Sequence, residues 1–263
     1  MMNLALTGKR ALVCGSSQGI GRAIAIQLAK QGASVTLFAR NKDKLTNVLA
    51  ELDNSQEQQH HVLCADFSQP EQVCSVLDEH LTQVSDYHIL INNTGGPAPG
   101  PANQAESDAF VAAFNQHLIN NHNIAQRLLP SMKAASFGRI VNVISTSVKQ
   151  PLPNLGVSNT VRGAVANWAK TMANELGEFN ITVNNVLPGA TNTVRLEAII
   201  QNKAKKLDKS ISEVEVMEKS IIPMRRFGEA EEFANAVGFL ASPAAAYITG
   251  VNLPVDGGRT ACL

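Results

Sequence analysis

Short runs of aliphatic and β-branched residues recur along the chain, and between them apolar positions return every three or four residues. The runs at 10–14, 34–39, 62–65, 89–91, 140–144, 182–187 and 251–255 have the residue types and lengths of strands. The intervening spacing predicts a helix reaching about residue 31, then helices over 42–53, 70–82 and a long 107–133. It predicts a further helix from near 159 to 176, charged helical sequence over 194–219, and a last helix at 231–240. Strands alternating with helices in this way make βαβ units, so the predicted class is α/β, a doubly wound parallel sheet with helices on both faces.

Composition narrows this to one unit. No Gly/Ser/Pro linker, low-complexity segment or repeat divides the 263 residues, which predicts a single domain over 1–263. Hydrophobic residues make up 44% and charged residues 17%, enough for a substantial core. Lys+Arg and Asp+Glu balance at 22 each, so no broad electrostatic case exists for nucleic acid or a membrane surface as partner. The apolar runs are too short to span a bilayer and Met1-Met2-Asn3-Leu4 does not read as a signal peptide, so a cytoplasmic protein is the expectation. Cys14, Cys64, Cys74 and Cys262 lack CxxC spacing and read as reduced structural thiols, not metal ligands. His60 and His61, in a glutamine-rich loop, read as exposed or strand-edge residues.

The first candidate chemistry is the turn Gly15-Ser16-Ser17-Gln18-Gly19-Ile20-Gly21, which joins the first strand to the first helix. Glycines there allow a tight turn, a close backbone approach to a pyrophosphate, and packing of helix on strand. The free N–H groups and dipole of the helix start then hold the phosphate. Gly15, Ser16, Ser17, Gly19, Ile20 and Gly21 are therefore candidate cofactor residues. The second strand ends at Arg40, with no Asp or Glu until Asp43. An acidic residue near this point accepts the ribose 2′-hydroxyl of NAD, whereas an arginine accommodates the extra phosphate of NADP. NADP is the expected cofactor, with Arg40 and Ser16 as phosphate contacts.

Asp66, after the third strand, is placed to accept a hydrogen bond from an adenine amino group. Asn92-Asn93-Thr94-Gly95-Gly96, after the fourth, suits a loop that bonds across the sheet and lets a ribose approach, which adds Asn92 and Gly95. The segment Gly96-Pro97-Ala98-Pro99-Gly100-Pro101 reads as a stiff pocket wall. The charged insertion at about 194–223 reads as an exposed helical lid, or else as a solvated helix pair.

The run at 140–144 ends in Ser145-Thr146-Ser147. Ligands of open α/β sheets bind beyond the carboxyl ends of the strands, so Ser145 faces the site. Ser158 and Arg162 stand one helical turn apart and share a face. His117 lies beside the stripe of Phe110, Phe114, Leu118 and Leu128 on the long helix, where periodicity alone makes it a partly buried histidine.

Together these marks resemble the short-chain dehydrogenase/reductase family, close to its 3-oxoacyl-[acyl-carrier-protein] reductases, over essentially the whole chain. The resemblance rests on Gly15, Gly19, Ile20 and Gly21, on Asp66, and on Asn92-Asn93-Thr94-Gly95 where the family usually reads Asn-Asn-Ala-Gly. It continues with Pro188, Gly189 and Thr193, which in the family sit by the nicotinamide, and with Ile248-Thr249-Gly250 and Asp256-Gly257-Gly258. It implies a single-domain Rossmann fold of seven strands in the order 3-2-1-4-5-6-7, and the homotetramer common in the family.

The family combines an asparagine on the long helix, a serine after strand five, and Tyr-x-x-x-Lys beginning thirteen residues beyond that serine. Counted from Ser145, the tyrosine position holds Ser158 and the lysine position Arg162; anchoring the long helix on Pro130 places His117 at the asparagine position. Only Ser145 is unchanged, and Cys14 replaces the usual threonine before the first glycine. The combination resembles a divergent reductase-like subgroup. It implies an NADP-dependent oxidoreductase that moves a hydride between a nicotinamide and a small carbonyl or alcohol substrate. A serine hydroxyl is too weak an acid to stand in for the tyrosine, and an arginine cannot shuttle protons, although it can stabilise an alkoxide. A histidine titrating near pH 6.5 can donate or relay a proton. The expected assignment is that Ser145 polarises the carbonyl, Arg162 stabilises charge, and His117 or water supplies the proton. The alternative is a non-catalytic dinucleotide-binding subunit that pairs with an active relative.

Overall fold

The computed structural model describes residues 2–262. Seven strands form one parallel sheet in the order β3-β2-β1-β4-β5-β6-β7: β1 Arg10–Cys14, β2 Ser34–Ala39, β3 His61–Cys64, β4 Ile89–Asn92, β5 Gly138–Val143, β6 Ile181–Pro188 and β7 Asn252–Val255. The order reverses between β1 and β4, which leaves a crevice at the carboxyl ends of these two strands.

Alternation along each strand sends side chains to two layers. On β1, Ala11 and Val13 enter the layer covered by α1 (Gly19–Lys30) and α9 (Ala230–Ala241), where Ile24, Leu28, Phe233 and Val237 are fully or almost fully buried. Leu12 and Cys14 enter the opposite layer, covered by α3 (Pro70–Leu81), α5 (Asn120–Ala134) and α6 (Gly156–Leu176) through Val73, Leu77, Ile124, Leu128 and Met172. Burial in that apolar layer pushes the Cys14 thiol pKa up, so this cysteine is an inert packing group.

Several boundaries depart from the periodicity, each for a local reason. Helix α2 (Lys42–Leu49) ends before residue 53, and the Asp53 carboxylate accepts the N–H of Ser55 in the turn beyond. Helix α6 starts at Gly156 rather than near 159, where a Cβ on Gly156 would stand 2.3 Å from the backbone nitrogen of Ala102. The charged insertion is two helices, α7 (Val194–Leu207) and α8 (Ile211–Ser220), parted at Asp208, whose φ of 51° is left-handed. Ser210 and Glu213 then open α8 with a reciprocal capping box. Ile200, Ala204, Val214, Ile222 and Phe227 give the pair a small core of its own.

The predicted long helix is broken. Helix α4 (Ser107–Phe114) passes into a π turn at Asn115–Ile119 before α5 resumes, and the Asn120 N–H donates to the Asn115 carbonyl five residues back. The widened turn frees the Gln116 carbonyl, which accepts from Asn120 Nδ2 at 3.4 Å. His117 sits in the middle of this turn.

Four strands are joined by an asparagine ladder. Asn92 donates to Asn142 at 2.8 Å, Asn142 to Asn185 at 2.9 Å and Asn185 to Asn252 at 2.8 Å, following the register of β4, β5, β6 and β7. The Asn92 side chain is 2% exposed and its Nδ2 is committed to this ladder, the bond across the sheet that the sequence led one to expect.

Candidate active site

The glycine turn is built as its sequence requires. Gly15 and Gly19 have φ of 61° and 56°, and a Cβ on Gly21 would stand 2.2 Å from the Gly15 carbonyl oxygen. Behind the turn, Asn93 Nδ2 donates to the Cys14 and Gly15 carbonyls at 3.3 and 3.2 Å. No side chain caps the start of α1, so its first N–H groups remain open to a phosphate. Ser17, Gly19 and Ile20 are half-buried along this opening, and Ile20 also packs on the core. A Cβ on Gly19 would lie 3.3 Å from the methyl of Thr193, so the turn and the start of α7 face each other across the crevice. Such an open helix N-terminus over a glycine cradle fits the pyrophosphate of a dinucleotide.

Arg40 is exposed at the end of β2 and has no ion-pair partner among the described residues. Asp66 is half-buried, and its carboxyl is held below its ordinary range mainly by the Ser68 N–H at 2.9 Å. Gly95 has open space where a side chain would be. Pro188 ends β6 and Gly189 follows it; a Cβ on Gly189 would meet Asp256 at 2.6 Å. The Thr193 hydroxyl caps α7 by accepting from Leu196 N–H at 3.3 Å, so toward the crevice it presents its methyl. Ser16 departs from expectation: it is fully buried, and its Oγ accepts the Phe38 N–H at 3.0 Å. That hydroxyl pins the turn to β2 and is not available to a phosphate.

On the other side of the crevice, Ser145 is half-buried beyond β5, its Oγ accepting from the Ser147 N–H at 3.1 Å. Ser158 is half-buried on the first turn of α6. One turn on, Arg162 is 7% exposed and donates from Nη1 to the Val143 carbonyl at 3.1 Å, tying α6 to the end of β5. Burial, then the neighbouring Arg195, lowers its pKa to about 10, which leaves it a cation at neutral pH. The 96–101 segment is stitched to the same helix start: Gly100 N–H donates to Asn154 and Gly156 N–H to Gly100, at 2.8 and 2.9 Å.

His117 is 1% exposed. Its Nδ1 shares a 2.7 Å hydrogen bond with Thr94 Oγ1, and its Nε2 is buried without a partner. Burial, then Arg162 and Arg195, lowers its pKa to about 2. At neutral pH this imidazole is uncharged, which corrects the expectation of a histidine titrating near pH 6.5 and donating as an imidazolium. What it retains is a neutral hydrogen-bonding edge.

The structure thus brings Arg162 and His117 into one electrostatic neighbourhood and adds Arg195, which the sequence pattern did not single out. The Arg195 guanidinium lies over Gly96, with Nη2 at 2.7 Å from where a Cβ would be. Thr94, the partner of His117, carried as its one signal that it stands where the family usually has alanine. A separate cavity of about 480 Å³ opens under α7 and α8, with Thr193 at its edge; Ser145, Ser158, Arg162 and His117 do not line it.

Comparison with known proteins places this geometry. The family profile described as enoyl-(acyl carrier protein) reductase matches residues 15–260. The chain is 34% identical over 254 residues to the NADPH-dependent reductase BacG of Bacillus subtilis, covering 96% of this chain and 98% of that protein. It is 32% identical to the 3-oxoacyl-[acyl-carrier-protein] reductase FabG of Staphylococcus epidermidis, over 95% of this chain and 98% of that one. The crystal structure of L-sorbose reductase from Gluconobacter frateurii, complexed with NADPH and L-sorbose, superposes over 100% of both chains with a TM-score of 0.93 at 29% identity.

Proposed function

The chain belongs to the short-chain dehydrogenase/reductase family, a family of nicotinamide-dependent oxidoreductases, and on that premise we propose that it is an NADP(H)-dependent reductase of small carbonyl compounds. The observation that carries the reading is the uncapped start of α1, opening over Gly15 and Gly19 toward Thr193, at the same sheet edge as Ser145 and Arg162. The glycine turn holds the pyrophosphate, Arg40 the ribose 2′-phosphate and Asp66 the adenine amino group; Gly95, Pro188, Gly189 and Thr193 border the rest of the cofactor. When bound, the reduced nicotinamide supplies the hydride.

The chain's own residues then manage the carbonyl. Ser145 donates a hydrogen bond to the carbonyl oxygen, and the fixed charge of Arg162 stabilises the negative charge that grows there. Ser158 is too weak an acid to replace a phenol, and neutral His117 holds its bond to Thr94, so the proton comes from water. The enzyme belongs to a divergent subgroup, with Ser158 and Arg162 at the positions of the family's tyrosine and lysine. Helices α7 and α8 form the substrate lid, and the enzyme works in the cytoplasm as a homotetramer. Among the described residues no helix is long and apolar enough to cross a membrane.

The absence of a phenol at position 158 favours a second reading, in which the chain binds the dinucleotide but serves as a non-catalytic subunit of an active relative. Fluorescence titration with NADPH and NADH, followed by oxidation assays against acyl-thioester, quinone, sugar and steroid carbonyls, separates the two. Turnover of any of these carbonyls supports the reductase; tight NADPH binding with no turnover moves the assignment to the subunit.

A further inference from the structure

Two guanidinium groups, Arg162 and Arg195, stand near His117 and the Gly96 wall, and among the described residues no acid balances them. Arg162 and Arg195 each act electrostatically on His117, and Arg195 acts on Arg162; among the described residues no carboxylate is among the charges felt by any of the three. Like charges gathered in a partly desolvated space raise one another's free energy, and buried cations are ordinarily paired. Of the seven ion pairs among the described residues, none involves Arg162 or Arg195.

The two arginines are held differently. Arg162 is anchored to Val143 and cannot turn to meet a ligand without breaking that bond. Among the described residues the Arg195 side chain has no hydrogen-bond partner, and although the residue is exposed overall, the protein closes around its guanidinium enough to lower its pKa. Its planar fork is free, and that fork matches a carboxylate in two parallel hydrogen bonds. Within reach of both charges is His117, whose Nε2 is buried and has no partner among the described residues, a polar atom that a bound molecule would satisfy.

We propose that the substrate of this cleft is a carboxylate-bearing carbonyl compound, its carboxylate received by Arg195 within the shared positive field of Arg162, beside the neutral edge of His117. The inference rests on the reductase reading above for the carbonyl, but not for the anion site. A cofactor phosphate is the competing anion, and the glycine turn and Arg40 already provide for the phosphates elsewhere in the crevice.

The test uses the full-length protein with NADPH and 2-oxo-, 3-oxo- and 4-oxopentanoate, each paired with its methyl ester. At least one acid should exceed its ester in kcat/KM by about tenfold or more, the gap lying in KM, and Arg195→Gln should bring the ratio to near one. A binding arm titrates pentanoate and methyl pentanoate into the protein–NADP⁺ complex by calorimetry, with Arg195→Gln and Gly96→Ala alongside. Gly96→Ala keeps the charge but displaces the fork, and should weaken pentanoate without affecting the ester. Pentanoate binding that is lost in Arg195→Gln, with no carbonyl reduced, upholds the anion site and removes the reductase reading. Carbonyl turnover with acid and ester equal upholds the reductase and overturns the anion site. Loss of NADPH affinity in Arg195→Gln as large as the loss of pentanoate assigns Arg195 to the cofactor and also overturns it.

Discussion

A histidine held neutral in the native protein makes folding sensitive to acid, and the effect at His117 can be worked out. Its native pKa is lowered to about 2, against about 6.5 in the unfolded chain. Below about pH 6.5 the unfolded state takes up a proton that the native state refuses, so stability is present in full above that value and is lost as the pH falls. The loss approaches about 1.4 kcal/mol per pH unit and amounts to about 2 kcal/mol between roughly pH 8 and pH 5. Any native value below about 4 gives the same figure over that window, because at about pH 5 the native ring is unprotonated in either case. His117→Asn removes the titrating ring. Urea unfolding of both proteins from about pH 8 to pH 5 should show the variant losing about 2 kcal/mol less than wild type. His61, His80 and His88, whose pKa values burial also lowers, remain in both chains and cancel. Parallel losses, equal within about 0.5 kcal/mol, would refute the claim that the fold keeps this imidazole uncharged.

Three further outcomes follow from the site and its support. Ser145→Ala should lower kcat by about 10²–10³-fold with little change in KM, measured by NADPH oxidation under saturating substrate; an unchanged kcat removes Ser145 from the carbonyl oxygen. Arg40→Asp should weaken NADPH by about tenfold or more relative to NADH in fluorescence titrations, since a carboxylate would face the 2′-phosphate; equal loss shows that Arg40 is not its contact. Asn142→Leu removes the middle of the asparagine ladder and orphans Asn92 Nδ2 and Asn185 Oδ1, at a cost of about 2–5 kcal/mol in urea unfolding, and a loss below about 1 kcal/mol would mean the ladder contributes little.

The strands were legible because a doubly wound sheet writes itself as short apolar runs at nearly regular intervals, the glycine turn because its backbone tolerates little else, and the order of the strands through the resemblance to the family. What escaped was whatever depends on register or on a change of helical pitch. Asn92 read as bonding across the sheet, but only the pairing of Asn92 with Asn142 and of Asn142 with Asn185 shows it as the end of a ladder. His117 fell at a partly buried position by a 3.6-residue period, and the π turn that carries it inward leaves no mark on that period. Ser16 sits in a phosphate-binding pattern, yet its hydroxyl is taken by Phe38 across the strand pair, a contact set by how β1 meets β2. Arg195 was one of many charged residues in a helix that reads as solvated, and its approach to Gly96 is a tertiary event.

The residues at the altered positions bear on one another through charge. Position 162 keeps a cation, but an arginine with pKa lowered only to about 10 stays protonated at every physiological pH, unlike a lysine whose pKa burial readily shifts. Position 117 carries an imidazole that burial, and then this cation together with Arg195, keeps neutral. Position 158 holds a hydroxyl that titrates far above neutrality. In the proposed reductase, then, no group of the cleft changes charge between about pH 6 and pH 8, and no side chain can act as a tuned acid there. Rate enhancement must come from holding the carbonyl against Ser145 and from the preorganised positive field, which stabilises an alkoxide without proton transfer in the same step. A site of that kind is blind to modest pH changes but sensitive to the net charge of what it binds, since a neutral substrate leaves two mutually repelling guanidinium groups without a counter-charge and an anionic one resolves them.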